Sequence, residues 1–162
     1  MRDKASTFDL EKNPQVLIRL AESGDAKSIA LLCQQLGYPT SEQDVQERFK
    51  LIKNNQEHVL YIAYLPNQLI VGLIHVYIWK SLLIGRRAEI DALIVHSDFR
   101  GRGVGQLLIQ HAEQWVKEQG CDTIQVRSNT VRQQAHRFYE KLGYIPIKTQ
   151  LVLHKALNGS IS

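Results

Sequence analysis

A single mixed α/β domain is what this sequence predicts, and three observations carry that reading. The chain has 162 residues, enough for one domain with a proper core. Segments with strand and helix patterns follow one another in the order β-α-α-β-β-β-α-β-α-β-β. One strand runs into a helix through RGRGVG (residues 100–105), a turn richer in glycine and arginine than a chain reversal needs.

The elements can be justified in order. Residues 1–13 are a polar lead-in. VLIRLA (16–21) is a short strand. AKSIALLCQQLG places Ile29, Leu32, Cys33 and Leu36 at helical spacing, and Gly37 closes it as a C-cap. SEQDVQERFKLIKNN opens a second helix at Ser41, with acids in its first turn and lysines towards its end, as the helix dipole favours. HVLYIAYL and LIVGLIHVYIW are strands joined through Pro66-Asn67-Gln68, and RRAEIDALIV is another. Beyond the glycine-arginine turn, Val104, Leu107, Leu108, Ala112, Trp115 and Val116 mark one face of a helix ending at Gly120. DTIQVRS is a strand. VRQQAHRFYEKLG is a helix with Val131, Ala135, Phe138 and Leu142 inward and a Thr130/Gln133 capping box. YIPIK and TQLVLHKAL supply closing strands, and residues 158–162 form a frayed tail. No repeat, low-complexity tract or linker divides the chain, so residues 1–162 read as one domain.

Composition narrows the function. Apolar residues make up 44% and charged residues 22%, the balance of a soluble globular protein. The N-terminus lacks the apolar core of a secretory signal, and the most apolar stretch is about half the length a bilayer span requires. A cytoplasmic protein with no membrane partner is expected. The two cysteines, Cys33 and Cys121, read as buried free thiols. The net charge of +4 suits an anionic ligand but is too dispersed to argue for nucleic acid. The six histidines, at 58, 75, 96, 111, 136 and 154, make no ligand pattern, and no metal is expected.

The strand-to-helix turn asks for an anion. Successive glycines let backbone N–H groups converge on one concavity, and the first turn of the next helix adds unpaired donors at the positive end of its dipole. Arg100 and Arg102 can add charge-assisted hydrogen bonds. A P-loop is excluded, because no Gly-Lys-Ser/Thr is present. A dinucleotide fingerprint fails too, because the third glycine position is Gln106 or Leu108.

The turn does match Arg/Gln-x-x-Gly-x-Gly/Ala, between a strand and a long helix, at every fixed position. It resembles the acetyl-CoA-binding motif of the GNAT superfamily of N-acetyltransferases. A second stretch, Asn129, Ala135 and FYEKLGY (138–144), is similar to the N…A…(F/L)YEKLGF signature of that family. The resemblance runs from about Val16 to Leu157. It implies a mostly antiparallel twisted sheet of six to seven strands flanked by about four helices. It implies acetyl-CoA as cosubstrate, with its pyrophosphate held on the backbone of Arg100, Gly101, Arg102, Gly103, Val104, Gly105 and Gln106. Backbone groups near Leu93, Ile94 and Val95 would pair with pantetheine as an added strand would. Asn129 would contact the same arm, and Tyr139 would sit near the thioester sulfur, where it could act as acid. Glu89 falls where some members carry a glutamate base, and Asp91 where others carry an acid. Homodimers are common in the family.

The chemistry makes its own demands. An alkylamine is mostly protonated at pH 7, so freeing its lone pair costs roughly 4–5 kcal/mol. A base near the acceptor helps, and a proton donor assists the departing thiolate. Glu89 and Asp91 are two apart on a strand and so share a face, with Leu93 and Val95 expected on it too. Both carboxylates can equally be solvated or paired with Arg86 and Arg87.

The leading reading is therefore an N-acetyltransferase acting on a small cationic amine by direct attack in a ternary complex. LGYPTSEQDVQER, with Tyr38, Glu42, Asp44 and Glu47, is a candidate acceptor region, although first-turn acids are also ordinary dipole partners. QLGYP resembles bacterial members described as aminoglycoside 6′-N-acetyltransferase-like. The alternatives are a protein N-terminal or lysine acetyltransferase, a non-catalytic acyl-CoA sensor, and a nucleic-acid binder using Arg86, Arg87, Arg100, Arg102, Arg127, Arg132 and Arg137.

Overall fold

The computed structural model describes residues 15–159. The polar lead-in and the last three residues of the tail lie outside that range. Two compact units are present, one ending at Arg127 and the other starting at Ser128.

The first unit is built on a five-stranded sheet in the order β1-β2-β3-β4-β5. Its strands are β1 (Leu17–Leu20), β2 (His58–Tyr64), β3 (Ile70–Ser81), β4 (Gly85–Val95) and β5 (Ile124–Val126). The first four are antiparallel neighbours, and β5 runs parallel to β4. Two helices, α1 (Ala26–Gln35) and α2 (Glu42–Ile52), follow β1, and α3 (Val104–Glu118) joins β4 to β5.

Side-chain period decides which helix covers which face. Ile62, Leu73 and Ile94 share a buried cluster with Ile29, Ala30 and Leu32 of α1 and Val45 of α2. The opposite face meets α3 through Val104, Leu108, Ile109, Ala112 and Val116. Burying each of the larger side chains contributes about 1.5–3 kcal/mol. Gly72 lets α3 approach: a Cβ there would lie 3.0 Å from the Ile94 carbonyl, 3.1 Å from Leu108 and 3.2 Å from Val104.

Local chemistry sets the helix ends. Ser41 Oγ accepts the Asp44 amide at 3.0 Å, while the Asp44 carboxylate accepts the Ser41 amide at 2.9 Å, so the expected start of α2 is a full capping box. Gly37, with φ +83°, terminates α1 as expected. Asp25 begins α1 and accepts two hydrogen bonds from Arg19 of β1, at 2.8 and 2.9 Å.

One irregularity in β4 changes the sequence-based picture. The register runs Leu93↔Ile74 and Ala92↔His75, then shifts to Ile90↔Val76 and Glu89↔Tyr77. Asp91 is the extra residue of a β-bulge. Glu89 and Asp91 do share a face, but Leu93 and Val95 lie on the other one, because the bulge breaks the period-two alternation on which the expectation rested.

In the second unit, α4 spans Gln133–Lys141, two residues later than a Thr130/Gln133 capping box requires. Asn129 takes over the local hydrogen bonding instead: its Oδ1 accepts the Val131 amide at 3.1 Å and its carbonyl accepts the Arg132 amide at 3.0 Å. Val131 therefore precedes the helix and is exposed rather than inward. The closing strands expected at YIPIK and TQLVLHKAL are absent among the described residues, so the sheet has five strands rather than six or seven. Alternating apolar residues raised the expectation, but Pro146 has no amide to donate, and Ile145, Ile147, Leu151 and Leu153 are all at least 73% exposed.

Candidate active site

The glycine-arginine turn lies between β4 and α3. Gly101 and Gly103 both adopt left-handed φ, +73° and +83°, and open space surrounds the position a Cβ would take on either, so conformation rather than crowding calls for glycine. Gly103 occupies the N-cap of α3 and no side chain caps that end. The first amides of a fifteen-residue helix thus keep their donors for an external acceptor. Arg100 does not extend freely: its Nε donates to the Val95 carbonyl at 3.1 Å. Arg102 stacks on Phe99, 5.4 Å from the ring centroid.

Beside this turn the sheet opens. Among the described residues, β5 pairs with β4 only through Ala88, Glu89 and Ile90, so from Asp91 to Val95 β4 has a strand partner there on its β3 side alone. Backbone groups near Leu93, Ile94 and Val95 therefore sit at an edge where an extended ligand can add like a strand, exchanging the bond that Arg100 Nε makes to the Val95 carbonyl. A phosphate-bearing molecule with a long amide-containing arm suits this combination of free edge and uncapped helix.

The two acids of β4 have different environments. Glu89 is 4% exposed, and each of its oxygens is taken: Arg127 Nε lies 3.0 Å from Oε1, and Gln125 Nε2 donates to Oε2 at 2.9 Å. Neither Arg86, which donates to the Gln119 carbonyl, nor Arg87, which stacks 4.5 Å from the Trp79 centroid, takes that place. Asp91 is exposed, and its Oδ2 meets His75 Nδ1 at 3.2 Å. That hydrogen bond from His75 holds the Asp91 carboxyl below the ordinary carboxylate range despite partial burial. His75 Nε2 in turn lies 3.0 Å from His58 Nδ1.

This histidine pair was invisible in the sequence. The two are seventeen residues apart, and only the register of β2 against β3 brings them together. A weak signal did exist, since each sits on the same strand parity as a core residue of its own strand, Ile62 or Leu73.

In the second unit, Tyr139 is half-buried, with ring contacts to Phe138 at 5.2 Å and Tyr144 at 5.4 Å. Burial pushes its phenol above the ordinary tyrosine value, so it carries its proton at neutral pH. Asn129 anchors the turn before α4, as described above.

From residues 36–48, Pro39, Thr40, Ser41 and Asp44 line an open depression together with Gln34 of α1. Asp44 is spent on the capping box, and Glu42 and Glu47 accept from Gln46 and Gln43. Cys33 and Cys121 are both free thiols. No group of histidine, cysteine and acidic residues among those described could hold a metal ion, and no described helix is long and apolar enough to cross a membrane.

Comparison with known proteins agrees with this geometry. The model of the acetyltransferase (GNAT) family matches residues 25–144, and the chain belongs to that family. It is 31% identical over 138 residues to the aminoalkylphosphonate N-acetyltransferase of Salmonella typhimurium, covering 81% of this chain and 86% of that one. Its fold is similar to that of a crystal structure described as a transcriptional regulator from Bacillus halodurans (TM-score 0.79, 30% identity, 87% of this chain and 100% of the other). It also resembles the aminoglycoside antibiotic 6′-N-acetyltransferase of Acinetobacter baumannii in fold (TM-score 0.77, 17% identity, 88% and 99% covered).

Proposed function

We propose that the protein moves an acetyl group from acetyl-CoA to the primary amine of a small molecule, by direct attack in a ternary complex. The observation that carries this reading is the free edge of β4 from Asp91 to Val95, beside a glycine turn that leads into the uncapped N-terminus of α3. When bound, acetyl-CoA supplies the activated acyl group. The backbone from Arg100 to Gln106 would hold its pyrophosphate, the β4 edge at Leu93, Ile94 and Val95 would hold its pantetheine arm, and Asn129 would contact the same arm. Tyr139, which keeps its proton at neutral pH, would serve as the acid for the departing thiolate.

Of the two acids, Asp91 is the one we assign to supporting removal of the acceptor's proton. Glu89 has both oxygens engaged, by Arg127 and Gln125, so its role is to fix β5 against β4. Asp91 is open on one side and backed by histidines on the other.

The acceptor in this reading is a small amine. A version carrying an anionic group is favoured by Arg87, whose Nε is buried without a hydrogen-bond partner while its guanidinium lies on Trp79. The aminoalkylphosphonate in the name of the Salmonella relative is of that type. Free-thiol release from acetyl-CoA, measured across aminoalkylphosphonates, aminoglycosides, polyamines, amino acids and peptides, tests the proposal. Turnover is expected with small amines and little with peptides. Binding of acetyl-CoA without turnover on any amine would instead make this a sensor.

A further inference from the structure

Three polar side chains line up across three neighbouring strands: His58 on β2, His75 on β3 and Asp91 on the bulge of β4. They lie on the sheet face that carries Ile62 and Leu73, further along the strands, and the contacts are 3.0 and 3.2 Å. Tyr77 stacks on His58 at 5.6 Å with ring planes 21° apart, and His58 stacks on His75 at 5.2 Å.

We infer that His58, His75 and Asp91 form one proton relay, in which His58 Nε2 takes the proton of the acceptor's ammonium group, directly or through a water. This deepens the acetyl-transfer reading and rests on it.

The geometry fixes the protons of the resting state. An ionised Asp91 only accepts, so His75 must carry hydrogen on Nδ1. The Nε2 of neutral His75 is then an acceptor, so His58 must carry hydrogen on Nδ1 and present a lone pair at Nε2. Proton uptake is balanced along the chain. An N–H bond forms at His58 Nε2, the His58 Nδ1–H bond breaks, and that proton forms a new bond at His75 Nε2. The positive charge ends on His75, 3.2 Å from the Asp91 carboxylate. Two protons cannot be added, because His58 Nδ1 and His75 Nε2 would then be facing donors. Asp91 is thus a positioning and charge-stabilising residue, as the carboxylate is in a serine-histidine-aspartate arrangement.

The surroundings suit the task. Burial and the neighbouring His75 hold the His58 imidazole below the ordinary histidine range, so it is neutral and able to accept at pH 7. Among the described residues, the charged groups acting on the pair and on its neighbour Tyr77 include Glu57, Glu89, Arg87 and Arg127. Burial and the two β4 carboxylates raise the Tyr77 phenol, which keeps its proton. Glu57 is paired with Lys80, and Glu89 with Arg127.

The test uses the full chain with acetyl-CoA and whichever amine the panel identifies. His58→Gln and His75→Gln should each lower kcat/KM roughly 10²-fold and abolish the acid limb of its pH profile, with acetyl-CoA affinity kept. Asp91→Asn should move that limb to lower pH and slow the plateau. An acceptor whose amine is already neutral at the assay pH should be insensitive to His58→Gln. Nitrogen-resolved NMR of the imidazoles supplies a readout independent of turnover: the pair should take up one proton together, and in His75→Gln the pKa of His58 should rise. A wild-type enzyme that turns over while both glutamine variants keep its pH profile overturns the relay and leaves the acetyl-transfer reading intact. Two independent ring protonations overturn it as well. A wild type that releases no thiol with any amine sinks the acetyl-transfer reading itself, and the relay with it.

Discussion

In the proposed reaction, two single positions carry much of the function, Tyr139 and Gly103. The Tyr139 phenol holds its proton because burial disfavours the phenolate. Removing that hydroxyl in Tyr139→Phe should leave acetyl-CoA affinity nearly intact and slow turnover roughly 10²-fold in steady-state kinetics. Gly103 holds φ at +83° in open space, so Gly103→Ala adds no clash and only the left-handed penalty, about 1–2 kcal/mol. Its signature should be a weaker acetyl-CoA affinity by calorimetry, with the melting temperature lowered by only about 2–8 °C. The left-handed glycine turn was legible in the sequence, because local motifs carry local geometry. Glu89 was legible as an acid on β4, but its partners were not. Arg127 and Gln125 lie 38 and 36 residues further on, and the parallel pairing of β5 alone delivers them. His58 and His75 escaped for the same reason.

Whole elements were easier to read than their ends. The order of strands and helices through α4 is the order the hydrophobic pattern predicts, since long runs at period two or 3.6 leave few choices. Ends depend on competing hydrogen bonds, as the Asn129 turn shows: Asn129 takes the Val131 and Arg132 amides, and the Gln133 amide that a Thr130 box would have met goes to the Val131 carbonyl. Strands also need partners, which is why an alternating pattern after Tyr144 did not suffice. The junction of β1 and α1 carries a prediction at this scale. Burial raises the pKa of Asp25, but the hydrogen bonds from Arg19 and the Glu22 amide outweigh it, leaving the carboxyl below its usual value. A depressed folded pKa stabilises the protein above the unfolded carboxylate range and is lost as pH falls through the folded value. Asp25→Asn should therefore cost about 1–3 kcal/mol near neutral pH and flatten the acid limb of the stability curve measured by denaturant melts.

At the scale of the molecule, α1 and α3 clamp the sheet from opposite sides, and Gly72 sets how closely α3 can lie. Gly72→Val should lower the melting temperature, with a loss of about 1–3 kcal/mol from overpacking, because backbone at Ile94 blocks one direction of escape. The bulge at Asp91 has a consequence for how β4 can change over time. One surplus residue separates the stretch that lies under the helices from the stretch that carries the acids. Point substitutions can retune either stretch independently. A one-residue deletion of Asp91 would let Ile90↔Val76 run straight into Ala92↔His75 in unbroken alternation, and it would leave no place for a carboxylate beside His75. The number of residues in this strand is therefore under a constraint that no side-chain preference expresses.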